Sequence, residues 1–307
     1  MTDNQLLIIG EALIDVVHRL DGTVDRVPGG SPANVAITLG RLGNEPELLT
    51  WIGTDEAGQR IVEWLRASGV KVVPQSQGAD HTSSATAVLG ADGGAKYIFD
   101  IEWNFPADYS PQGVGHVHLG SIGAVLEPAA DAIYEFLLKA RAAGATISYD
   151  PNARPAIMEV PEVTAAKFER LVAISDVVKV SDEDLEWSSP GEDYLSVAKR
   201  WAASGPSLVV VTRGGSGALA VHGQNIHEID GVKVEVVDTV GAGDTFMGAL
   251  IDGLLGAGAL GAGKHGELVN LDRDALEAVL SRCAKAAAVT VSRPGADPPT
   301  KAELDGK

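Results

Sequence analysis

The chain alternates short apolar runs with longer stretches that have the period of a helix. The apolar runs cover residues 6–10, 48–52, 114–119, 146–149, 177–180 and 208–212. The helical stretches cover residues 33–42, 57–68, 128–143, 163–174 and 194–204. Such alternation is typical of parallel strands that are joined by crossover helices. The sequence therefore predicts an α/β fold around a mainly parallel sheet.

Two segments interrupt this alternation because they have the pattern of β-hairpins. The first covers residues 15–27 and turns at Asp21-Gly22, and the second turns at Asp92-Gly93-Gly94. We expect them to form a small separate sheet, or lid, that covers a site. No low-complexity linker divides the chain, so residues 1–307 are predicted to be one domain with lid segments at about 15–27 and 84–105.

Charge and cysteine content argue against several functions. The 42 acidic and 24 basic residues give a net charge of -18, which repels nucleic acid and anionic lipid. We therefore expect neither a nucleic-acid nor a membrane partner. The single cysteine, Cys283, cannot form an internal disulfide and fits a cytoplasmic protein. The apolar start of the chain is interrupted by Glu11 and Asp15, which favours a buried strand over a signal peptide.

A segment rich in glycine and alanine, residues 256–266, contains two partial nucleotide-binding motifs. GAGALG matches the dinucleotide pattern, and GALGAGKH is one residue short of a P-loop, with His265 where Ser or Thr would hold a metal. Both follow a helical pattern, whereas the true motifs follow a strand. We interpret the segment as a flexible surface connection.

The stretch DTVGAGDTF, residues 238–246, places glycines where a helix begins. It follows the apolar run 232–237, read as a strand that ends at Asp238, and precedes a helical pattern. Free amide groups at a helix N-terminus bind phosphate well. Asp244 either caps this helix or stabilises its dipole from the first turn, or it accepts the proton of an attacking hydroxyl. Asp238 either caps the turn, shapes the loop or binds a cation.

The stretch PGGSPANVAITLGRLG, residues 28–43, supplies a candidate site for an alcohol. It has a Gly-Gly turn that leads into a helix, with Asn34 near the start, and Asp15 follows the first apolar run. Side-chain oxygens of these types can bind neighbouring sugar hydroxyls. Asn34 could instead cap its helix, and Asp15 could be a turn residue.

These stretches together resemble the ribokinase-like (PfkB) family of sugar kinases, with the bacterial fructokinases closest. The resemblance covers essentially the whole chain and rests on GEALIDVV, PGGSPANVA, WIGTDEAGQ, DPNARP, VVKVSDEDLEW, VTRGGSGAL, DTVGAGDTFMGAL and SRPGADPP. It implies a three-layer α/β/α sandwich with a central, mainly parallel sheet and a small β-sheet lid. It also implies ATP-dependent transfer of the γ-phosphate to a hydroxyl of a neutral sugar, with fructose the first choice.

The resemblance assigns roles to matching positions. The implied base is Asp244, and the implied anion hole is the backbone of Gly241, Ala242, Gly243 and Asp244. The implied sugar-binding residues are Asp15, Gly30 and Asn34. The implied nucleotide-binding residues are Lys179, Ser181, Thr212, Gly214, Gly217, Gly241, Gly243, Ala288 and Ser292. In this family Asp238 and the carbonyl of Val240 often hold a potassium ion.

The sequence departs from the family pattern at the magnesium-associated motif. Where many relatives have N-x-x-E, this chain has SDED, residues 181–184. Oxygen ligands of this kind suit Mg²⁺, which keeps much of its water. The resemblance therefore places Asp184 near Mg²⁺ through water. The alternative is that SDED is an acidic helix start without a metal.

A second departure lies in the lid. Relatives that act on 2-keto-3-deoxygluconate carry an arginine in this region, whereas residues 96–108 have none. We expect Asp100 and Glu102 to repel a sugar acid, which favours a neutral sugar. Tyr97 and Phe99 either stack on the sugar or build the interior of the lid. Ser121, after a central apolar run, is a further candidate for sugar binding.

Two alternatives to a fructokinase stay open. One is a kinase of the same fold that acts on a nucleoside or on 2-keto-3-deoxygluconate. The other is a catalytically silent sugar-binding regulatory protein, since fold alone does not establish activity. The expected partners are a small sugar, ATP and, through the lid, a second copy of the chain.

Overall fold

The apolar runs form strands and the stretches between them form helices, as predicted. The computed structural model describes residues 5–89, 95–106, 108–158 and 160–306. The strands are β1 (Gln5–Ile9), β2 (Leu13–His18), β3 (Val24–Gly29), β4 (Glu47–Leu49), β5 (Lys71–Val72), β6 (Ser84–Leu89), β7 (Ala95–Asp100), β8 (Val114–Gly120), β9 (Thr146–Asp150), β10 (Val177–Ser181), β11 (Leu208–Thr212), β12 (Ala218–His222) and β13 (Asn225–Ile229). The helices are α1 (Ser31–Arg41), α2 (Glu56–Ala67), α3 (Ala129–Ala142), α4 (Pro161–Val172), α5 (Asp182–Ser188), α6 (Tyr194–Ala202), α7 (Ala242–Gly256), α8 (His265–Val269), α9 (Arg273–Val291) and α10 (Lys301–Asp305).

The larger sheet has nine strands in the order β13-β12-β11-β10-β9-β8-β1-β4-β5. All neighbouring pairs from β11 to β5 are parallel, and β12 and β13 add an antiparallel edge. Buried residues of α1, α2, α7 and α9 cover one face, and those of α3, α4, α5 and α6 cover the other. The predicted three-layer α/β/α sandwich with a mainly parallel sheet is therefore confirmed.

The predicted hairpin segments form a separate four-stranded sheet in the order β3-β2-β6-β7. Asp15 lies opposite Ala85, and Ala85 lies opposite Phe99. Opposite residues share a face of a sheet and successive residues alternate, so Asp15, Phe99 and Tyr97 lie on one face. The turn predicted at residues 92–94 lies outside the described residues.

The strand predicted at residues 232–237 is absent from the structure. The run has the alternation of a half-buried strand, but no sheet covers it, and its valines are exposed on both sides: Val232, Val234, Val236 and Val237. Instead of pairing with a strand, the backbone amides of Val237 and Asp238 donate hydrogen bonds to the carbonyl of Val291, at the end of α9. The run therefore leads into α7 along the surface.

The segment 256–266 is not the free surface connection that its composition predicted. Ala259 and Leu260 are buried in the core. The amide of Gly261 donates to Thr146 Oγ1 at 3.0 Å, and the amide of Gly263 donates to the carbonyl of Gly144. Two buried apolar side chains and these hydrogen bonds hold the segment against β9.

Within the described ranges, no helix is both long and apolar enough to cross a membrane.

Two buried histidines of β8 pack within a polar layer of the sheet. His116 is hydrogen-bonded through Nδ1 to Thr146 Oγ1 at 2.8 Å and through Nε2 to Ser148 Oγ at 2.9 Å. His118 Nδ1 is 3.0 Å from the same serine oxygen. Burial lowers the pKa of His116 to about 4 and that of His118 to about 3. Both imidazoles are therefore neutral in the folded protein at neutral pH.

We predict that these histidines make the fold sensitive to acid. An unfolded chain takes up protons at histidine near pH 6.5, whereas the folded chain does so only near the lowered pKa values. Their contribution to the free energy of unfolding is fully present above about pH 6.5. It declines as the pH falls toward about 4, by ~1.4 kcal/mol per pH unit for each histidine. Denaturant unfolding near pH 7 and near pH 5 measures this loss, which should be smaller by ~2 kcal/mol in His118→Gln. Equal losses in the two proteins would contradict the prediction.

Candidate active site

Polar side chains collect at the carboxyl edge of the parallel sheet. Glu11 follows β1, Ser121 follows β8, Asp150 ends β9, and Ser181 and Thr212 end β10 and β11. These five strands are consecutive neighbours in the sheet. In open α/β sheets the ligand site lies outside this edge. The fold therefore brings the predicted sugar and nucleotide positions together.

The glycine turn before Asp244 opens α7. Gly241 precedes the helix and has a φ of 75°, a left-handed conformation that glycine adopts without strain. A side chain at Gly241 would begin 2.5 Å from Cβ of Ala296, so the position has no room for one. The amide of Ala242 donates to the carbonyl of Thr239 at 3.3 Å, which leaves the amides of Gly243 and Asp244 without a backbone partner among the described residues. These two amides and the helix dipole make this end favourable for an anion.

The carboxylate of Asp244 is buried and held by three side chains from two other parts of the chain. Oδ1 accepts a hydrogen bond from Ser31 Oγ at 2.7 Å, and Oδ2 accepts one from Asn34 Nδ2 at 2.8 Å. Asn152 Nδ2 donates to Oδ1 at 3.3 Å and to Ser31 Oγ at 2.5 Å. Gly241 is the N-cap of α7, so Asp244 does not cap its own helix. Of the two structural alternatives, Asp244 is therefore not the cap of α7 but an acidic residue of its first turn.

The sugar-side candidates surround this carboxylate. Asn34 is not the cap of α1, since that position is Gly30, which has a φ of 113°. A side chain at Gly30 would overlap the carbonyl oxygen of Glu11. Among the described residues, Asn34 Oδ1 is a buried acceptor without a hydrogen-bond partner. It is therefore free to accept a hydrogen bond from a bound hydroxyl.

Asp15 lies in β2, within the lid, and not in a turn. Burial raises the pKa of Asp15 to about 6, and the guanidinium of Arg154 opposes this shift. Tyr97 and Phe99 stack on each other with ring centroids 6.0 Å apart, and Tyr97 is 59% exposed. The exposed ring of Tyr97 lies on the face of Asp15, whereas Phe99 is half-buried. Trp103, at the base of the lid, and Phe105 are buried.

Asp100 does not supply the repulsion that the sequence predicted. It lies opposite Ser84, and therefore on the face of the lid away from Asp15. Its carboxylate pairs with His81 Nε2 at 2.9 Å. Glu102 accepts hydrogen bonds from the amides of Asp80 and His81 at the base of the lid. Both carboxylates thus have structural contacts at the base of the lid.

Lys179 lies beside the first turn of α7. Its ammonium donates to Asp150 Oδ2 at 2.8 Å, and both side chains are buried. A side chain at Gly243 would begin 3.0 Å from Lys179 Nζ, so the ammonium is next to the glycine turn. Burial opposes the charge, but Asp150, with Asp184 and Asp244, outweighs it and raises the pKa of Lys179. Asp150 Oδ1 is a second buried acceptor without a partner among the described residues.

The SDED segment forms the start of α5. Ser181 Oγ accepts a hydrogen bond from the amide of Asp184, and the Asp184 carboxylate accepts one from the amide of Ser181, which is a capping box. Asp184 Oδ1 also accepts from the amide of Ala153 at 2.9 Å. These residues therefore form an acidic helix start, as one of the two alternatives predicted. Within the described residues, no cluster of three or more His, Cys, Asp or Glu could hold a metal by itself.

The remaining nucleotide-side candidates lie at two places, the turn after β11 and the end of α9. Thr212 Oγ1 donates to the carbonyl of Val180 at 3.4 Å, and Gly214 and Gly217 flank the turn that joins β11 to β12. At the end of α9, Ala288 is buried, whereas Ser292 is exposed and its hydroxyl donates to the carbonyl of Val289.

Asp238 connects the turn before α7 to the loop after α9. Its Oδ1 accepts from the amide of Val240 at 3.0 Å, and its Oδ2 accepts from the amide of Gly295 at 2.9 Å. Asp238 therefore caps its own turn, as one of the alternatives predicted. The loop after α9 in turn lies against Gly241 through Ala296.

Four residues of this edge have no role in the sequence-based prediction: Glu11, Ser31, Asp150 and Asn152. All four lie inside motifs on which the family resemblance rests, GEALIDVV, PGGSPANVA and DPNARP. Glu11 and Asp150 could have been found from their place directly after a buried apolar run, where a parallel strand ends, and Asn152 follows two residues after Asp150. Ser31 had no such signal, because its partner Asp244 is 213 residues away.

A curated relative and two solved structures resemble the chain. Fructokinase from Rhizobium leguminosarum bv. trifolii is 36% identical over 261 residues, which is 81% of this chain and 79% of the relative. Fructokinase from Xylella fastidiosa with bound ATP has a TM-score of 0.84 at 23% identity, over 100% of this chain and 98% of that one. At that identity, the likeness concerns the fold.

A double variant of fructokinase from Vibrio cholerae O395, in a form that holds fructose, ADP and a potassium ion, has a TM-score of 0.80 at 23% identity over 99% of this chain and 98% of that one. The model of the pfkB family carbohydrate kinases matches residues 3–303. Fold, family model and sequence relative agree, and the chain belongs to the pfkB family of carbohydrate kinases.

Proposed function

We propose that this protein is an ATP-dependent fructokinase with Asp244 as its catalytic base. The observation that carries the proposal is the buried Asp244 carboxylate in the first turn of α7, next to the half-buried glycine turn. A carboxylate beside an anion site repels phosphate, so its presence there calls for a function. Acceptance of the proton from the attacking hydroxyl is such a function. The relative from Rhizobium leguminosarum supports fructose as the acceptor.

The geometry supports a division of roles around Asp244. Ser31 and Asn34 donate to different oxygens of Asp244, so they fix the plane of the carboxylate that faces the sugar. The amides from Gly241 to Asp244 neutralise charge on the transferred phosphoryl group. Lys179, which is next to Gly243, adds a fixed positive charge there. Asn34 Oδ1 accepts from a sugar hydroxyl, and Asp15 and Ser121 bind further hydroxyls.

On the nucleotide side, Thr212, Gly214 and Gly217 contact the phosphates and ribose, with Ser181 nearby. Ala288 and Ser292 border the adenine. The carboxylate oxygens of Asp184 already accept hydrogen bonds from backbone amides. This fits a magnesium ion that is bound mostly by water and phosphate. When bound, Mg²⁺ neutralises the phosphate oxygens of ATP. Asp184 holds it through water.

A potassium ion at Asp238 and the carbonyl of Val240 would stiffen the turn before α7. Asp238 already joins Val240 and Gly295 across that turn, so a cation on the same carboxylate would order the anion hole. The Vibrio cholerae fructokinase that holds potassium supports this assignment. The absence of a second cysteine supports a cytoplasmic location.

A panel of acceptors tests the function directly. We expect ADP release with ATP and Mg²⁺ to be faster with fructose than with ribose, glucose, 2-keto-3-deoxygluconate or adenosine. Asp15 at the lid favours a neutral sugar over an acid, although Arg154 lies nearby. Preference for the acid or the nucleoside would overturn fructose. No turnover with any acceptor, combined with a thermal shift by fructose, would favour the silent sugar-binding protein.

Asp244→Asn should lower kcat by about 10²- to 10⁴-fold while fructose binding is kept. The amide is similar in shape but cannot take the hydroxyl proton. Steady-state kinetics and calorimetric titration with fructose measure the two effects. Asp252→Asn is the matched control, because Asp252 lies later on the same helix, where it contacts Asn44 and Arg282. Normal turnover in Asp244→Asn would contradict the assigned base.

We also propose that two copies associate through their lids. The edge strands of the lid sheet are β3 and β7, which carry exposed apolar side chains at Val24, Val27, Tyr97 and Ile98. An uncovered apolar sheet edge is prone to pair with another chain. Light scattering should give twice the 31.8 kDa of one chain, and Ile98→Asp should restore the mass of one chain. A wild-type protein with the mass of a monomer would contradict the association.

A further inference from the structure

Glu11 is a buried carboxyl that the proposed chemistry does not use. It lies directly after β1 and is 6% exposed, although it carries an ionisable group. Glutamate is rarely buried to this extent without specific partners. Burial raises the pKa of Glu11 to about 7, while hydrogen bonds to its carboxyl and the guanidinium of Arg154 oppose the shift. The contacts of this carboxyl therefore offset a substantial cost.

The Glu11 side chain anchors the turn that follows β8. Its Oε2 accepts a hydrogen bond from the amide of Gly123 at 3.0 Å, and its carboxyl is also hydrogen-bonded to the side chain of Ser121. Ser121 has φ 56° and ψ −150°, a conformation that an L-residue adopts only under constraint. The two hydrogen bonds that this carboxyl accepts supply part of that constraint.

From this turn, one chain of contacts leads to Asp244. Ser121 Oγ lies 3.4 Å from the carbonyl oxygen of Asn152, and its single proton is shared between that oxygen and the Glu11 carboxyl. Asn152, which also has a positive φ of 36°, donates to Ser31 and to Asp244. The orientation of Asn152, and with it one oxygen of the proposed base, therefore depends on where the turn is held.

The backbone of Glu11 forms a second chain of contacts to the same carboxylate. The carbonyl oxygen of Glu11 fills the space that a side chain at Gly30 would need. Gly30 precedes Ser31, whose hydroxyl donates to Asp244 Oδ1. Glu11 therefore touches the sugar side of the site through two independent routes, one from its carboxyl and one from its main chain.

We propose that Glu11 is a positioning residue for the sugar side of the active site, one that sets the place of Ser121 and Asn152 without touching the substrate itself. This inference rests on the proposed sugar kinase function. Replacement of the carboxylate by an amide leaves one acceptor oxygen for two donors, the Gly123 amide and the Ser121 hydroxyl. The turn then shifts, and Ser121 and Asn152 shift with it.

The chain offers a matched control at the opposite edge of the sheet. Asp176 is 3% exposed, and its Oδ2 accepts from the backbone amide of Ile147 at 2.7 Å. It precedes β10, so it lies at the amino ends of the strands, away from the site. Asp176→Asn and Glu11→Gln each replace a buried carboxylate that holds a backbone amide, and only Glu11→Gln lies at the carboxyl edge.

The experiment compares wild type, Glu11→Gln and Asp176→Asn by steady-state kinetics with fructose and ATP. We expect Glu11→Gln to lower kcat/KM for fructose by about 10- to 100-fold with the KM for ATP unchanged. We expect Asp176→Asn to keep both constants while its melting temperature falls. Wild-type kinetics in Glu11→Gln would overturn the proposal. An equal loss of kcat/KM for fructose in Asp176→Asn would also overturn it, because the effect would then be general destabilisation.

Hydrogen exchange separates a failure of this inference from a failure of the proposed function. Without any ligand, exchange at the amides of residues 121–123 should be faster in Glu11→Gln and unchanged in Asp176→Asn. If wild type phosphorylates no sugar but this difference is present, the fructokinase proposal fails and the role of Glu11 in holding the turn stands. Unchanged exchange at residues 121–123 overturns the inference in either case. If Glu11→Gln does not fold, Glu11→Asp replaces it, because the shorter side chain moves the carboxylate away from Gly123, and an unchanged kcat/KM for fructose would have the same meaning.

Discussion

The arrangement of the site depends on the hydrogen bonds that hold the carboxylate of Asp244. Ser31 and Asn34 donate from α1, and Asn152 donates from the loop after β9. These donors are between 92 and 213 residues from Asp244 in the sequence. A buried carboxylate needs such donors to be tolerated. The same three contacts therefore stabilise Asp244 and align α1, α7 and β9 around the sugar.

The site attracts an anionic substrate although the whole chain carries a charge of -18. At short range, the charges and dipoles of the site outweigh the repulsion from the net negative charge of the chain. Lys179 is buried beside Gly243, and its charge is retained because Asp150 is 2.8 Å away. The first turn of α7 adds unpaired amides and the positive end of the helix dipole. The acidic surface repels the phosphate backbone of nucleic acid at long range.

Most of the fold could be predicted from the sequence. Buried strands appear as short apolar runs, and helices appear as stretches whose apolar residues recur with the period of a helix. The prediction failed where local pattern and long-range packing disagree. Residues 232–237 alternate like a strand but have no strand to pair with, and residues 256–266 look like a loop but bury Ala259 and Leu260. The motifs located Asp244 and Asn34. Their hydrogen bond could not be predicted, because it joins positions 210 residues apart.

The contacts around Gly123 connect the lid to the sugar side of the site. Its carbonyl accepts a hydrogen bond from Trp103 Nε1, at the base of the lid, at 2.9 Å. Its amide donates to Glu11 at 3.0 Å. A side chain at Gly123 would begin 2.8 Å from Cα of Gly10, so the peptide is also packed against the end of β1. Gly123 therefore joins the base of the lid, through Trp103, to the Glu11 carboxyl that also contacts Ser121. A kinase has to exclude water before the phosphoryl group is transferred, and in this fold the base of the lid and the turn beside the sugar candidates share the contacts of one residue.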